Sequence, residues 1–434
     1  FWWILQMILM LRGFKYYKKI NLMKITIIGA GVIGLTSAYY LSKEGHEVTV
    51  IDKSDGTNNC SFGNAGYISP SHFIPLASPG IVAQGLKWML SSTSPFYIKP
   101  RLNGSLIKWG LKFYSKANAK TVAQNAPHLN NILQLSRNLM VEMDRDFNHT
   151  FRLETKGCLM LYQTEHTGRH EAELANEAKH FGIDAPILSA AEVQNMEPEV
   201  TVDVLGGVYF PIDCHLHPVK MMKSLYNKLK EMGVQILYNQ EVTDFESSNG
   251  KVTSVITHQS AYKCDHLVVA TGSWLEVISE KLGIELLLQP GKGYSMTYGN
   301  RTKNLHHPAI LVDDRVAMTP LGDQLRIGGT MELTGINHDV NMKRVHPIVA
   351  AANKYYPDLD LHPPASDQVW IGLRPCSPDG LPYIGHSPHH QNVTVAGGHA
   401  MLGISLAAAT GLLVKQIIQK EKTEIDIKAF RVER

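Results

Sequence analysis

Net charge of either sign is scarce in this sequence. Among 434 residues, 42 are Lys or Arg and 39 are Asp or Glu, a formal charge of +3. So small an excess argues against a nucleic-acid partner held by phosphate neutralisation, and no basic stripe with interleaved aromatics compensates. Cysteine is also rare. Cys60, Cys158, Cys214, Cys264 and Cys376 are odd in number, dispersed and without CxxC spacing. That pattern excludes a disulfide framework and reads as reduced thiols in a cytoplasmic protein. Internal repeats and low-complexity linkers are missing as well. What is present is 44% hydrophobic residues and 35 Gly, enough for one large or two ordinary domains with real cores.

The first 22 residues, "FWWILQMILMLRGFKYYKKINL", stand apart. The apolar run Phe1–Leu11 is shorter than the ~20 residues a bilayer span needs. Positive charges follow it, and no small-residue cleavage site appears, which argues against a signal peptide. The expectation is that residues 1–22 are upstream sequence and that the native start is Met23. The rival reading is an interfacial anchor, with Arg12, Lys15, Lys18 and Lys19 set against anionic lipid.

Residues 24–53, "KITIIGAGVIGLTSAYYLSKEGHEVTVIDK", read as strand, glycine turn, helix, strand. Gly29, Gly31 and Gly34 form GxGxxG where the chain enters the helix. The first glycine allows the tight turn, the second lets backbone approach a pyrophosphate, and the third lets helix pack on strand. Free N–H groups and the positive dipole end at the helix start suit phosphates. Asp52 closes the second strand, where a carboxylate can bond an adenosine ribose and would repel a 2′-phosphate. Strand, helix, strand and acid in register point to a dinucleotide other than NADP.

Later stretches supply more of the same cradle. "CDHLVVATGSW" is a buried strand ending in Ala270, Thr271 and Gly272. Before it, a polar hairpin is expected at Ser247–Lys251. "VTVAGGHAMLGISLAAATGLLVKQII" runs as strand, then Gly397, Gly398 and His399, then a helix from about Gly403. An NAD domain is usually contiguous, so a cradle drawn from the beginning, middle and end of the chain points to FAD.

From Met23 onward the chain resembles the FAD-dependent D-amino acid oxidase superfamily, closest to the bacterial D-amino acid dehydrogenase (small subunit) group. The match rests on "GAGVIG", "NAGYISP", "LKWM", "GKGYSMT", "LRIGGTMEL", "WIGLRPCSPDGLPYIG" and "GGHAMLG", which follow the family's order over nearly the whole chain. The implied fold is α/β plus α+β. A Rossmann-like FAD-binding domain with a doubly wound parallel sheet would take residues 23–76, 214–276 and 368–434. An inserted antiparallel-sheet substrate domain would take residues 77–213 and 277–367.

The resemblance also implies site residues. Val32 and Ile33 behind the glycines, Ser61, Asn64, Ala65 and Gly66 beneath the flavin, and Val242, Leu402 and Gly403 would join the cradle. His399 is read either as a flavin hydrogen-bond partner or as a packed, capping residue. Asp379 would contact the ribityl chain, although a simple turn uses the same residues. Arg374, in an otherwise apolar stretch and fixed by Pro375, is the carboxylate-binding group. A guanidinium grips a carboxylate with two parallel hydrogen bonds. The alternative is a structural ion pair, with Asp379 as the candidate partner. Tyr294 and Tyr67 are candidate pocket walls that could offer a hydroxyl to the carboxylate, against a plain core role. Where glycine oxidases of the superfamily carry a substrate-binding tyrosine, the matching residue is Val316, which implies a roomier, more apolar pocket.

No metal is expected. Cys214, His215 and His217 lie too close in sequence to close a tetrahedron, and Pro218 reads as the first residue of a helix. Cys376 invites comparison with flavin thioethers, but its spacing to the Pro-Asp pair differs, so non-covalent FAD is expected. The reading is therefore an FAD-dependent D-amino acid dehydrogenase that passes hydride from Cα to flavin N5, releases a 2-oxo acid and ammonia, and hands electrons to a quinone. The resemblance implies peripheral association with the cytoplasmic face of the inner membrane. Rivals are a D-proline or 4-hydroxy-D-proline dehydrogenase or oxidase, a non-catalytic electron-relay flavoprotein subunit, and an NAD-dependent dehydrogenase.

Overall fold

A computed structural model describes residues 22–434 apart from Asn58, Leu90, Ser92, Thr93 and Leu102. The readings made for the leader lie outside the described residues, Leu22 excepted.

Two large sheets organise the chain. The first has six strands in the order Tyr383–His386, Val393–Gly397, His266–Val269, Lys24–Ile28, Glu47–Ile51 and Gln235–Leu237. All neighbours run parallel except the antiparallel Tyr383–His386 edge. The sequence explains this placement. Ile25, Ile27, Ile28, Leu267, Val268 and Val269 are buried, as expected of strands covered on both faces. Helix Val32–Lys43 follows the first strand and ends at Gly45, whose φ of 85° supplies the left-handed step after a helix. Against it packs helix Gly403–Ile418 with its small-residue face. A Cβ on Gly411 would stand 2.7 Å from the Thr36 backbone.

The second sheet has nine strands. Its main path runs Trp370–Cys376, Gln289–Tyr298, Leu325–Leu333, Val316–Pro320, Ala309–Leu311, Cys158–Tyr162, Gly206–Phe210 and Ile187–Ser189, and Phe96–Ile98 adds to Leu325–Leu333. Pairing is antiparallel except where Ala309–Leu311 meets Cys158–Tyr162 and where Phe96–Ile98 joins. A separate three-stranded sheet begins with Val242–Ser248 and Lys251–Thr257. These two strands meet at the expected hairpin, where Asn249 and Gly250 take φ of 49° and 72°, the conformation a two-residue hairpin turn requires.

Two boundaries need correction. Strand Trp370–Cys376, placed with the FAD-binding segments from residue 368, instead pairs with Gln289–Tyr298 in the nine-stranded sheet. Helix Ala119–Asp146, placed with the substrate domain, packs Leu129, Ile132 and Leu133 into one cluster with Leu406, Ala409 and Leu413 of helix Gly403–Ile418. Apolar packing against that helix decided its place, and residue periodicity alone does not reveal the partner.

Candidate active site

One cavity of about 1580 Å³ is lined from both sheets. That exceeds the ~300–1,000 Å³ of ordinary small-molecule sites, which leaves room for a large cofactor together with a substrate.

At the nucleotide end, each glycine of the motif has a distinct surrounding. Gly29 has φ 107°, and a Cβ there would collide with the Ala270 carbonyl; one on Gly34 would collide with the carbonyl of Gly29. Gly31 meets nothing nearer than Ser61 Oγ at 3.7 Å and so opens its backbone to the cavity. Helix Val32–Lys43 has no side-chain cap from Gly31; instead Val32 N–H donates to Ser61 Oγ at 3.0 Å. Asp52 Oδ2 accepts from Ala30 N–H at 2.6 Å and Oδ1 from Ser54 N–H at 2.7 Å, which braces the turn. A carboxylate has lone pairs left for a ribose hydroxyl. Asn59 and Tyr226, unmarked in the sequence reading, both donate to the Ala30 carbonyl. Val32, Ile33, Val242, Thr271 and Gly272 also line the cavity, and Thr271 Oγ1 is buried without a hydrogen-bond partner. An open Gly31, a helix start capped only by Ser61 at Val32 and an orphaned hydroxyl fit the pyrophosphate of FAD.

The middle of the cavity is bounded by Ser61, Asn64, Ala65, Leu402 and Gly403. The loop holding Asn64 and Ala65 is closed by its own bonds, with Gly66 N–H donating to Asn64 Oδ1 at 2.8 Å. Arg326 clamps it by donating to the carbonyls of Phe62 and Asn64 at 2.9 and 2.7 Å. Burial pushes that guanidinium down to about 10. Helix Gly403–Ile418 starts with no side-chain cap, and a Cβ on Gly403 would meet open space. Gly403, Ile404 and Ser405 of its first turn line the cavity, where a helix start would stabilise developing negative charge.

Several expected contacts are corrected. Asp379 does not line the cavity. Its Oδ2 pairs with Arg434 Nε at 2.6 Å and its Oδ1 accepts from Leu381 N–H, so the plain-turn alternative describes it. Gly398 also stands behind the lining, with φ 77° turning the chain between Gly397 and His399. His399 lines the cavity, yet its Nε2 lies 3.0 Å from Thr410 Oγ1 and burial pushes its imidazole down to about 3; it is a neutral, packed residue. The Tyr67 hydroxyl lies 2.8 and 2.7 Å from the carbonyls of Ala309 and Met318, and its one proton serves them. The Tyr294 hydroxyl accepts from Asn341 N–H at 3.1 Å and lies 3.4 Å from Glu332 Oε2. Both rings line the cavity, but neither hydroxyl is turned toward a substrate. Cys214–His215 is a short strand against Tyr67–Ile68, and His217 caps a helix that begins at Pro218.

Arg374 lies in the wall at the other end. Strand pairing sets Gly372 against Gly293, and the guanidinium occupies the space that a Cβ on Gly293 would take. Its Nη1 donates to the Thr330 carbonyl at 2.5 Å. Among the described residues it has no ion-pair partner, and its neighbours Cys376 and Cys60 have thiols that burial pushes up and so keeps neutral. Burial pushes Arg374 down from its ordinary value, the signature of a cation short of an anion. The expected rival partner, Asp379, is taken by Arg434. Burial also pushes Cys376 up to about 11, which keeps it a thiol and a poor nucleophile. Val316 also lines the cavity. So do Glu171 and Arg315, which the sequence reading did not single out. Glu171 is buried, and burial pushes its carboxyl up to about 7.

The chain is similar to several known proteins. A D-amino acid dehydrogenase of Allorhizobium ampelinum is 32% identical over 410 residues, 93% of this chain and 96% of that one. A D-amino acid dehydrogenase of Helicobacter pylori is 32% identical over 403 residues, covering 92% and 96%. Among solved structures, glycine oxidase from Geobacillus kaustophilus shares the fold with TM-score 0.77 at 22% identity, covering 95% of this chain and 98% of that one. L-proline dehydrogenase from P. horikoshii does so with TM-score 0.74 at 19% identity, covering 95% and 98%. The match to the DAO family of FAD-dependent oxidoreductases spans residues 24–417, and with the cradle and the unpaired arginine in place, this chain belongs to that family.

Proposed function

We propose that the chain oxidises D-amino acids to 2-oxo acids and ammonia with non-covalent FAD, and that a membrane quinone takes the electrons. One observation carries the reading: Arg374 is a partly buried, cavity-lining guanidinium without a carboxylate partner among the described residues. A buried charge left unpaired is costly, and a substrate carboxylate would complete it with a bidentate grip. The Thr330 carbonyl fixes the fork by one donor, so the bound carboxylate is oriented as well as held. Bound FAD supplies the acceptor for the hydride that leaves Cα. Gly29–Val32, Asp52, Ser61 and the start of helix Gly403–Ile418 would hold the cofactor, while apolar neighbours such as Val316 and Met331 keep water from the reacting carbon. The D configuration is supported by the curated relatives, and the dispersed cysteines without CxxC spacing support a reducing, cytoplasmic compartment.

The test is anaerobic bleaching of the purified flavoprotein by matched enantiomers, with D-proline and 4-hydroxy-D-proline included. D-alanine and other D-amino acids should bleach the flavin and L-forms should not. Equal bleaching by both enantiomers, or by neither, would overturn the reading. Respiration on D-alanine in membrane fractions should stop when quinone is extracted and return when it is restored.

A further inference from the structure

Helix Glu165–His180 packs on strands Cys158–Tyr162 and Gly206–Phe210. Its residues Ala175 and Ala178 are buried with Phe73, Met160 and Val208. Glu171 stands one turn before Ala175 and is only 6% exposed, where the stripe of a packed helix calls for an apolar residue. Among the described residues its carboxyl has no hydrogen-bond or ion-pair partner, and it lines the large cavity. Burial pushes it up to about 7, with the charge of Arg315 opposing the rise. Buried polar groups are nearly always satisfied, so a carboxyl left open to a cavity is poised for a ligand.

Arg315 is the second polar group here. It ends the turn between Ala309–Leu311 and Val316–Pro320 with φ 55° and lines the same cavity at an exposed position. The turn sets it beside the substrate arginine. A Cβ on Gly329 would lie 3.2 Å from the Arg315 carbonyl, and the next residue, Thr330, supplies the carbonyl that holds Arg374. Arg315 is thus about one strand spacing, ~4.8 Å, from the backbone that fixes the carboxylate fork. Among the described residues it has no ion-pair partner, and it does not pair with Glu171. We propose that Glu171 and Arg315 form the subsite for the substrate's side chain, and that the group they take is a carboxamide, as in D-glutamine. The proposal rests on the reading of Arg374 as the carboxylate anchor. An amide oxygen accepts from the guanidinium while its NH2 donates to the Glu171 carboxylate, and a protonated Glu171 would donate to the same oxygen instead. A side-chain carboxylate would stand against Glu171 and, at the exposed rim, Glu177. An ammonium would stand against Arg315. Met160, Ile310 and Val312 also line the cavity and give the methylenes an apolar wall.

Substrate analogues without the amine read binding apart from oxidation. The holoenzyme is titrated with glutaramate, its isostere 5-methylhexanoate, glutarate and δ-aminovalerate, and the perturbation of flavin absorbance is followed. Glutaramate should bind about tenfold or more tightly than each of the others, the worth of one hydrogen bond to a charged group. Glu171→Leu and Arg315→Met should each remove most of the preference for glutaramate over its isostere, with flavin content as the check on folding. Glu171→Gln should keep part of it, because an amide still donates to and accepts from the ligand. Equal binding of glutaramate and its isostere by wild type would overturn the proposal. So would tighter binding of glutarate or δ-aminovalerate, or an undiminished preference in either the Leu or the Met variant. Absence of any binding would overturn the Arg374 reading and the subsite with it, whereas binding without the amide preference removes the subsite alone.

Discussion

Arg326, buried, and Arg374, partly buried, are guanidiniums on strands separated by one other, and the protein treats them differently. Arg326 finds acceptors in Thr297 Oγ1 and two loop carbonyls; Arg374 finds one carbonyl. Arg374 was legible in the sequence because it interrupts an apolar, proline-fixed stretch. Arg326 was not, because a charge in an alternating strand reads as solvent-facing. The unequal satisfaction predicts unequal consequences. Arg374→Leu should lower kcat/KM for D-amino acids by about 10²–10³-fold, as expected when a buried charge-pair partner is removed, while bound flavin, measured by its absorbance, stays at wild-type level. Arg374→Lys should recover little of it, because the fork is lost. Arg326→Leu should instead lower flavin content. Two acids give a separate pH signature. Burial raises Asp213 from 3.8 to about 7 and Glu171 from 4.5 to about 7. Groups raised on folding contribute stability that is fully present below their unfolded values near 4 and lost as pH rises through 7. Shifts of this size correspond to about 3–4 kcal/mol each. Melting temperature should therefore fall between about pH 4 and 7 and level off above, and Glu171→Gln with Asp213→Asn should flatten that slope; an unchanged slope would show that other groups control it.

The glycine turn shows what an element's sequence can and cannot disclose. Strand Lys24–Ile28, helix Val32–Lys43 and strand Glu47–Ile51 were readable because every local signal agreed. The acid Asp52 was placed correctly at the strand end, but its bond to Ala30 N–H was not foreseen, since it depends on how two segments meet. The three glycines should also separate by experiment. Gly34→Ala should prevent folding, because its Cβ has no room. Gly31→Ala should fold, since its Cβ meets only Ser61 Oγ at 3.7 Å, yet bind FAD at least tenfold more weakly; titration of the apoprotein with FAD measures this. The hydroxyls of Tyr67 and Tyr294 were misread for a related reason. Sequence shows that a tyrosine lies on a strand near the site, but not which way its oxygen is turned.

For the whole molecule, strand Trp370–Cys376 carries the candidate substrate arginine on the nine-stranded sheet, while FAD would rest mainly on the six-stranded one. A ligand bound across both should join their stability. At a hundredfold excess over its dissociation constant, FAD should add about 2.7 kcal/mol, seen as a melting temperature several degrees higher and a single sharper transition by calorimetry. Two transitions insensitive to FAD would contradict this coupling. Family order and fold class were legible over the whole chain; the allocation of Trp370–Cys376 and Ala119–Asp146 was not, because it is set by long-range pairing.

The strand order of the six-stranded sheet has a consequence for biosynthesis. Lys24–Ile28 lies between Glu47–Ile51 and His266–Val269, so one flank has no neighbour until some 240 further residues have left the ribosome. At ~5–20 residues per second that is a wait of about 10–50 s. During that interval a greasy, edge-exposed nascent segment is available to chaperones and to aggregation, and its missing neighbour, His266–Val269, arrives only when about three fifths of the chain has been made.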